Sequence, residues 1–345
     1  MLAINRTDVD EIVAERHIAI IDAVEAAYRS HERYPEGTPH SVFLRFPDDP
    51  VNRIIGLPAY VGNGGRPTAG LKWISSFPAN TDRGRERASA VIVLNDLETG
   101  YPRAILEGAR ISALRTAASA AAFSRIADGA RRVEKVGVIG CGTINLATIA
   151  MLRAVHPALR TVAAHDAVPE RAAQFVEATG LDGAVAPTIA DVVDADVLAI
   201  ATTDSSYWLD LDGALHDRTR PGRITVLHTS LRDIAPASLV GALNAVDDVE
   251  HALRADTALE RAVRLASADG RTAADVVPLT IGALAAGTAH IPADDGRPLV
   301  YSPFGLGITD IAVARWVADE AERTGRGVRL EGFEPGVHAT AAAHV

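Results

Sequence analysis

The sequence predicts an α/β chain in two parts: a doubly wound parallel sheet, preceded by an α+β unit built on an antiparallel sheet. Three observations predict it. From 134 to about 248 strand and helix patterns alternate, as they do where helices cover both faces of a parallel sheet. From about 40 to 107 strand-like segments follow one another with only turns between them. A chain of 345 residues is also long for one core and comfortable for two.

The elements follow in order. Ile12, Val13, Ile20, Ile21, Val24 and Ala27 recur at helical spacing and predict a helix over 8–34. SVFLRF, NRIIGLPAY, TAGLKWISS, ASAVIVLND and YPRAILEG read as strands, separated by Asp-Asp-Pro, Gly-Asn-Gly-Gly, Pro-Ala-Asn and Glu-Thr-Gly turns. Alanine-rich SALRTAASAAAFSRIA (112–127) has high helix propensity and crosses to the second part. VGVIG, TVAAHD, ADVLAIATT, RITVLHTS and LNAVDD are the strands of the parallel sheet. Helices are expected at about 251–266 and 273–287, a short strand at PLVYS (298–302), and a helix at about 307–325. The closing ATAAAHV has no periodicity and reads as a loose end.

Composition excludes several classes. No run approaches a membrane span, and the N-terminus lacks the basic, apolar and small-residue pattern of a secretory signal. One cysteine, Cys141, rules out an internal disulfide framework and fits a reducing, cytoplasmic location. A net charge of −10 without a basic stripe argues against nucleic acid and anionic membranes as partners. The eleven histidines show no metal-ligand spacing, so no metal is expected. Of the 34 basic residues only Lys72 and Lys135 are lysine, and the two side chains are not interchangeable. Lys135 reads as an exposed strand start. Lys72 reads either as a charge on a solvated strand face or, preferably, as a functional group.

The stretch Glu134–Asp166 is half of a Rossmann-type dinucleotide-binding unit: strand, glycine turn GCGTIN, helix, and a second strand ending in an acid 24 residues after Gly142. Gly140 permits the tight turn, Gly142 keeps a side chain off the pyrophosphate, and the helix aims its unpaired N–H groups at the phosphates. Asn145 stands where a third glycine is usual, which weakens the packing argument. The Asp166 carboxylate accepts bonds from ribose hydroxyls and repels a 2′-phosphate, which favours NAD over NADP, although Arg171 lies close in sequence. Thr202 and Thr203 end a strand of the same sheet and should lie near the cofactor. Asp233 follows another strand end; it reads as a carboxylate facing the nicotinamide or as an N-cap for PASLVGAL. His228 reads equally as a satisfied strand-end histidine and as a substrate contact. Cys141 reads as a small residue beside the cofactor, since no base is paired with it. Ser302 and Phe304 read as closing over the nicotinamide or as a plain loop.

GLKWISSFPAN, ERASAVIVLNDLETGYPRAILEG, ISALRTAASAA, VIGCGTIN, HTSLRDIAP and VYSPFGLG occur in this order across nearly the whole chain. The chain thereby resembles the ornithine cyclodeaminase/mu-crystallin family. Within it, ISSFPAN, ERASA, GCGTIN and SLRD are most similar to a branch that oxidises a conjugate of glutamate and 2,3-diaminopropionate joined through one secondary amine. The resemblance implies a homodimer with a substrate-binding and dimerisation domain (1–115 with 305–335) and an NAD-binding Rossmann domain (116–304). It implies Asp233 as the catalytic aspartate; separately, a shifted pKa would let Lys72 share proton transfer. Arg45 and Lys72 match the family's carboxylate binders, and Arg115 its arginine near the cofactor. Adding Arg87, four cations would serve a substrate with three carboxylates, since an unpaired buried charge is very costly. The expected cofactor contacts are Gly140, Gly142, Thr143, Ile144, Asn145, Asp166, Thr202 and Thr203, joined by Arg115, Thr116 and Ser302. Ornithine cyclodeaminases carry a further acid after the strand that here reads IIGLPAY; Tyr60 and its neighbours offer none, which disfavours ornithine. Cyclodeamination, the reverse reduction of ketimines, and a nicotinamide-dependent ligand-binding role remain the competing readings.

Overall fold

The computed structural model describes residues 1–62 and 66–333. The end of the Gly-Asn-Gly-Gly turn (63–65), residues 334–335 and the closing ATAAAHV lie outside them. Among the described residues the strands form two sheets.

The first sheet runs in the order Val328–Arg329, Leu2–Ile4, Pro102–Glu107, Ala88–Asn95, Thr68–Ser76, Asp49–Val61, Val42–Phe46. Its five central and outer strands form the expected meander, each antiparallel to the next. Leu2–Ile4 adds a parallel strand against Pro102–Glu107, and Val328–Arg329 closes that edge. On one face Leu57, Ala59, Val61, Ile92, Leu94 and Leu106 are buried. Helices His17–Arg33 and Gly307–Thr324 cover that face. The chain thus returns to its first sheet after building the second.

The second sheet is parallel throughout, in the order Leu279–Thr280, Leu243–Val246, Leu299–Tyr301, Thr225–His228, Val197–Ile200, Lys135–Ile139, Thr161–His165, Asp182–Val185. Strand order reverses at Lys135–Ile139, so the ligand crevice of such a sheet lies beyond the carboxyl ends of Lys135–Ile139 and Val197–Ile200. Helix Ala109–Asp128 packs against both His17–Arg33 and Thr143–Val155. Its run of buried alanines from Ala117 to Ala122 lets neighbours approach closely. One continuous apolar cluster joins Ile92 and Leu94 of the first sheet to Val136 and Val138 of the second.

Three expected helices are broken, each for a local reason. The helix over 8–34 is two, Arg6–Val13 and His17–Arg33, because Glu15 turns to a φ of 57°. The one over 251–266 is Val249–Ala252 and Ala258–Ser267: Ala255 and Asp256 take positive φ, and the Thr257 hydroxyl caps the second helix at Glu260 N. Pro278 divides the third into Ala273–Val276, a strand at Leu279–Thr280, and Ile281–Ala286. Strands Leu2–Ile4, Asp182–Val185 and Val328–Arg329 are too short to leave a periodic signal.

Candidate active site

The glycine turn has the shape a dinucleotide needs. Gly140 has a φ of 88°, and a Cβ there would lie 2.3 Å from the Ala201 carbonyl oxygen. A Cβ at Gly142 would meet nothing within 4 Å, so the turn opens on the crevice at the start of helix Thr143–Val155. Thr143 is exposed at that start and Ile144 half-buried. Asn145 is not a weakness of the motif. Its buried amide donates to the carbonyls of Ile139 (3.1 Å) and Gly140 (2.7 Å), bracing the turn from beneath. Asp166 accepts from Cys141 N at 2.8 Å and Val168 N at 3.0 Å, which fixes it at the end of its strand. Burial, then the neighbouring Asp166, pushes the Cys141 thiol up to about 12, so it carries no nucleophilic thiolate.

Asp233 is fully buried and heavily bonded. Thr202 Oγ1 and Ser230 Oγ donate to it, and His228 Nε2 lies 3.2 Å from its Oδ2. His228 Nδ1 is 3.2 Å from Ser302 Oγ, and the backbone N–H of Asp233 points at His228 Nε2 from 3.3 Å. Burial alone would raise the Asp233 carboxyl. The bond and charge of His228, with the Ser230 and Thr202 hydroxyls, outweigh burial and hold it below the ordinary carboxylate range. The capping alternative fails, because the cap of helix Pro236–Gly241 is Ala235. The Thr202 hydroxyl is bonded to Asp233, and Ser302, itself buried, has its hydroxyl beside His228. Thr203 is exposed at the crevice side of the same strand end.

Lys72 is not on a solvated face. It points inward from Thr68–Ser76, 1% exposed, with its Nζ 2.6 Å from Asp310 Oδ2 and 3.0 Å from Ser112 Oγ. Arg115 Nε takes the other Asp310 oxygen at 3.1 Å. Asp310, on Gly307–Thr324, therefore holds Lys72, an expected carboxylate binder, and Arg115, the arginine expected near the cofactor, and leaves the trio with one net positive charge. Burial lowers Lys72 to about 8; Asp310 pulls it up and Arg115 pushes it down. Thr116, half-buried, donates to Ser112 O at 2.8 Å and supports the same helix turn. Gly305 has a φ of 98°, and a Cβ there would press to 2.7 Å on Arg115 Nη1. The loop Ser302–Leu306 thus runs from His228 at one cluster to Arg115 at the other. Buried Asp247 pins it, accepting from Phe304 N (2.8 Å) and Gly305 N (2.7 Å).

Arg45 lies in a strand register pair with Arg53, so the two side chains share a sheet face. The charges of Arg87, Arg232 and Arg45 all act on Arg53. Arg232 directly precedes Asp233, so this group meets the parallel sheet beside the aspartate. Asp310, Asp247 and Arg53 were missed by sequence reasoning. Asp310 left a signal: it is one carboxylate within an otherwise apolar helical run, ITDIAVA. A separate cavity of about 420 Å³, lined by Asp128, Arg131, Arg223 and Thr225, sits at the amino end of strand Thr225–His228, the wrong end for this chemistry. No group of His, Cys, Asp and Glu suited to a metal occurs among the described residues. Nor does a helix long and apolar enough to cross a membrane.

Comparison with known proteins agrees with this architecture. Residues 4–211 match the pattern of the Ornithine cyclodeaminase/mu-crystallin family. The chain is 27% identical over 344 residues to N-((2S)-2-amino-2-carboxyethyl)-L-glutamate dehydrogenase of Staphylococcus aureus, covering 96% of this chain and 98% of that one. It is 28% identical over 317 residues to an alanine dehydrogenase of Archaeoglobus fulgidus, covering 91% and 93%. An archaeal alanine dehydrogenase dimer with bound NAD superposes with a TM-score of 0.81 and 26% identity, over 96% of this chain and 99% of that chain.

Proposed function

The chain belongs to the ornithine cyclodeaminase/mu-crystallin family, and from that membership we propose that it is an NAD-dependent oxidoreductase cleaving N-(2-amino-2-carboxyethyl)-L-glutamate to L-2,3-diaminopropionate and 2-oxoglutarate. The observation that carries this reading is the unneutralised positive charge on the inner face of the first sheet: one net charge on the Lys72–Asp310–Arg115 trio, and Arg53 on the same face, on which the charges of Arg45, Arg87 and Arg232, the neighbour of Asp233, also act. A substrate with three carboxylates fits that excess.

The residues present fit NAD. A Cβ at Gly142 would fill the open cradle of the turn, Asn145 braces its floor, and Asp166 stands where ribose hydroxyls would reach it. When bound, NAD supplies the hydride acceptor. The chain's own groups do the rest. Lys72 and Arg115 grip the carboxylate next to the reacting carbon and orient it. Loss of hydride from the glutamate Cα, with the lone pair of the secondary amine, leaves a C=N bond. Water adds at that carbon, and the C–N bond breaks to release the amine and the 2-oxo acid. Overall, conjugate, water and NAD⁺ give 2,3-diaminopropionate, 2-oxoglutarate, NADH and one proton. Asp233 stabilises positive charge at nitrogen and helps move protons there, with Lys72 as the second proton-transfer group. Arg45 and Arg87 take the remaining carboxylates.

The outer face of the first sheet supports a homodimer. Val42, Leu44, Leu71 and Trp73 lie there 63%, 43%, 38% and 40% exposed, an apolar strip that a second copy would cover.

The test supplies NAD with the synthetic conjugate and follows NADH absorbance while products are identified by mass. NADH formed in equal amount with 2-oxoglutarate is expected. Proline formed from ornithine without net NADH would replace this reading by cyclodeamination. Asp233→Asn should keep NAD binding and lose roughly 10²–10⁴-fold in turnover, the span of a positioned acid–base.

A further inference from the structure

We infer that Arg53, Ser76 and Arg232, with Arg45 and Arg87, form a distal carboxylate subsite that selects substrates carrying a second acidic group remote from the reacting carbon. The inference deepens the proposed function and rests on it for the identity of the natural substrate.

The sheet register brings the parts together. Arg45 pairs with Arg53 and Arg53 with Ser76, while Arg87, just before the strand Ala88–Asn95, comes near enough for its charge to act on Arg53. Directly paired residues of antiparallel strands point to one face. Alternation along Asp49–Val61 puts Arg53 on the face of Leu57, and along Thr68–Ser76 puts Ser76 on the face of Lys72. Both therefore look toward the same interior as the Lys72–Asp310–Arg115 trio. Arg232 comes from the other sheet, on the loop that carries Asp233. Its Nε and Nη2 donate to the carbonyls of Asp256 and Ala255, which anchor the guanidinium at the crevice edge.

Two features mark this group as built for an anion. Among the described residues no carboxylate lies within ion-pair distance of Arg45, Arg53 or Arg87, in a chain where most arginines have one. Ser76 Oγ is buried and makes no hydrogen bond. Clustered like charges and an unsatisfied buried hydroxyl both oppose folding. A carboxylate placed among them relieves both, accepting from the guanidinium groups and from Ser76. Burial of Arg53 and the adjacent arginine charges lower its pKa, the direction that an unneutralised cluster produces. The inner trio holds one net charge, enough for one carboxylate, so the further acids of a polycarboxylate fall to this second group. A monocarboxylate amino acid has nothing to place there.

The experiment compares wild type, Arg53→Gln, Arg53→Lys and Ser76→Ala as NAD-loaded proteins. Thermal-shift titrations, which register weak ligands, are run with citrate, 2-oxoglutarate and the monocarboxylate 2-oxobutanoate. Arg53→Gln should lose about 10–100-fold in citrate affinity, with smaller losses for Arg53→Lys and Ser76→Ala, and keep the wild-type response to 2-oxobutanoate. Because Arg53 holds no ion pair, the ligand-free variant should melt no lower than wild type, which separates loss of binding from loss of fold. Equal losses for both classes of acid, or none for either, overturn the subsite. If wild type fails to oxidise the conjugate while Arg53→Gln still loses citrate selectively, the proposed function falls and the subsite stands. If the conjugate is oxidised equally well, with unchanged KM, by Arg53→Gln, the subsite falls and the proposed function stands.

Discussion

Replacing Asp310 by alanine removes the carboxylate that Lys72 and Arg115 share. Lys72 is 1% exposed and Asp310 is fully buried, so water cannot take the place of the lost partner. Breaking one side of such a pair costs about 3–5 kcal/mol, a large part of the roughly 5–15 kcal/mol that holds a domain together. The pH dependence sharpens the test. Burial has lowered Lys72 from 10.5 to about 8 in the folded state. Between those values the unfolded chain binds the proton and the folded chain does not, so stability must rise with pH across that window. At about 1.4 kcal/mol per unit, the Lys72 contribution to the rise is on the order of 3 kcal/mol. It is absent below the folded pKa, where both states are protonated. In Asp310→Ala the folded pKa falls further, because the group that pulled it up is gone, and the lower edge of the window moves toward neutrality. Urea unfolding followed by circular dichroism across this range should show wild type gaining stability relative to Lys72→Met as pH rises. Asp310→Ala should be weakest in mild acid and recover earlier, and Lys72→Met/Asp310→Leu should regain most of the loss. A pH slope shared by wild type and Lys72→Met, or a loss under about 1 kcal/mol in Asp310→Ala, would refute the buried pair as a cost carried by the fold.

Gly142→Ala should leave stability within about 0.5 kcal/mol of wild type, because its Cβ meets nothing within 4 Å, yet lower NADH affinity at least about 10-fold by fluorescence titration; unchanged affinity would move the pyrophosphate elsewhere. His228→Asn removes the foremost influence holding the Asp233 carboxyl down, so the acid limb of kcat/KM should shift to higher pH, and an unmoved limb would detach Asp233 from that profile. Trp73→Glu places a charge in the exposed apolar strip and should convert a dimer to a monomer in sedimentation analysis without changing the circular dichroism spectrum; a dimer that persists would put the interface on another face.

What was legible in the sequence followed the strength of local grammar. The turn around Gly140 and Gly142, the acid at Asp166 and the meander from Val42 to Glu107 are each written in a few adjacent residues, and they fold as read. Breaks at Glu15 and at Ala255–Asp256 are not, because nothing in those residue types requires a positive φ; at Ala255–Asp256 the distant Tyr207 and Arg232 hold the carbonyls. Asn145 reads as a poor stand-in for glycine by size alone, but the turn uses its amide donor. Asp310 and Lys72 stand 238 residues apart, so their pairing belongs to the way Gly307–Thr324 returns over the first sheet. Arg53 was within reach of the alternation rule. Two residues before Ile55 and four before buried Leu57, it had to point inward.

The two titratable groups to which the proposed function gives the proton chemistry are tuned to different tasks. Asp233, held below the ordinary carboxylate range by three donors, stays ionised across neutral pH and yields its charge reluctantly to a proton. That suits a fixed anion opposite the positive nitrogen that develops as hydride leaves. Lys72, brought to about 8, sits near working pH, where a proton carrier is most effective. The same lysine must be charged to grip a carboxylate, and a bound carboxylate raises its pKa. Under the proposed function, substrate binding would therefore draw a proton onto Lys72, and loss of the 2-oxo acid would release it. Asp310 makes this cycle possible: with the carboxylate gone, burial would strip the lysine of its charge before substrate arrived, and without Arg115 on the other oxygen the pair would be neutral and indifferent to an anion. The third member of the trio leaves one positive charge in the buried site, which a single carboxylate can satisfy.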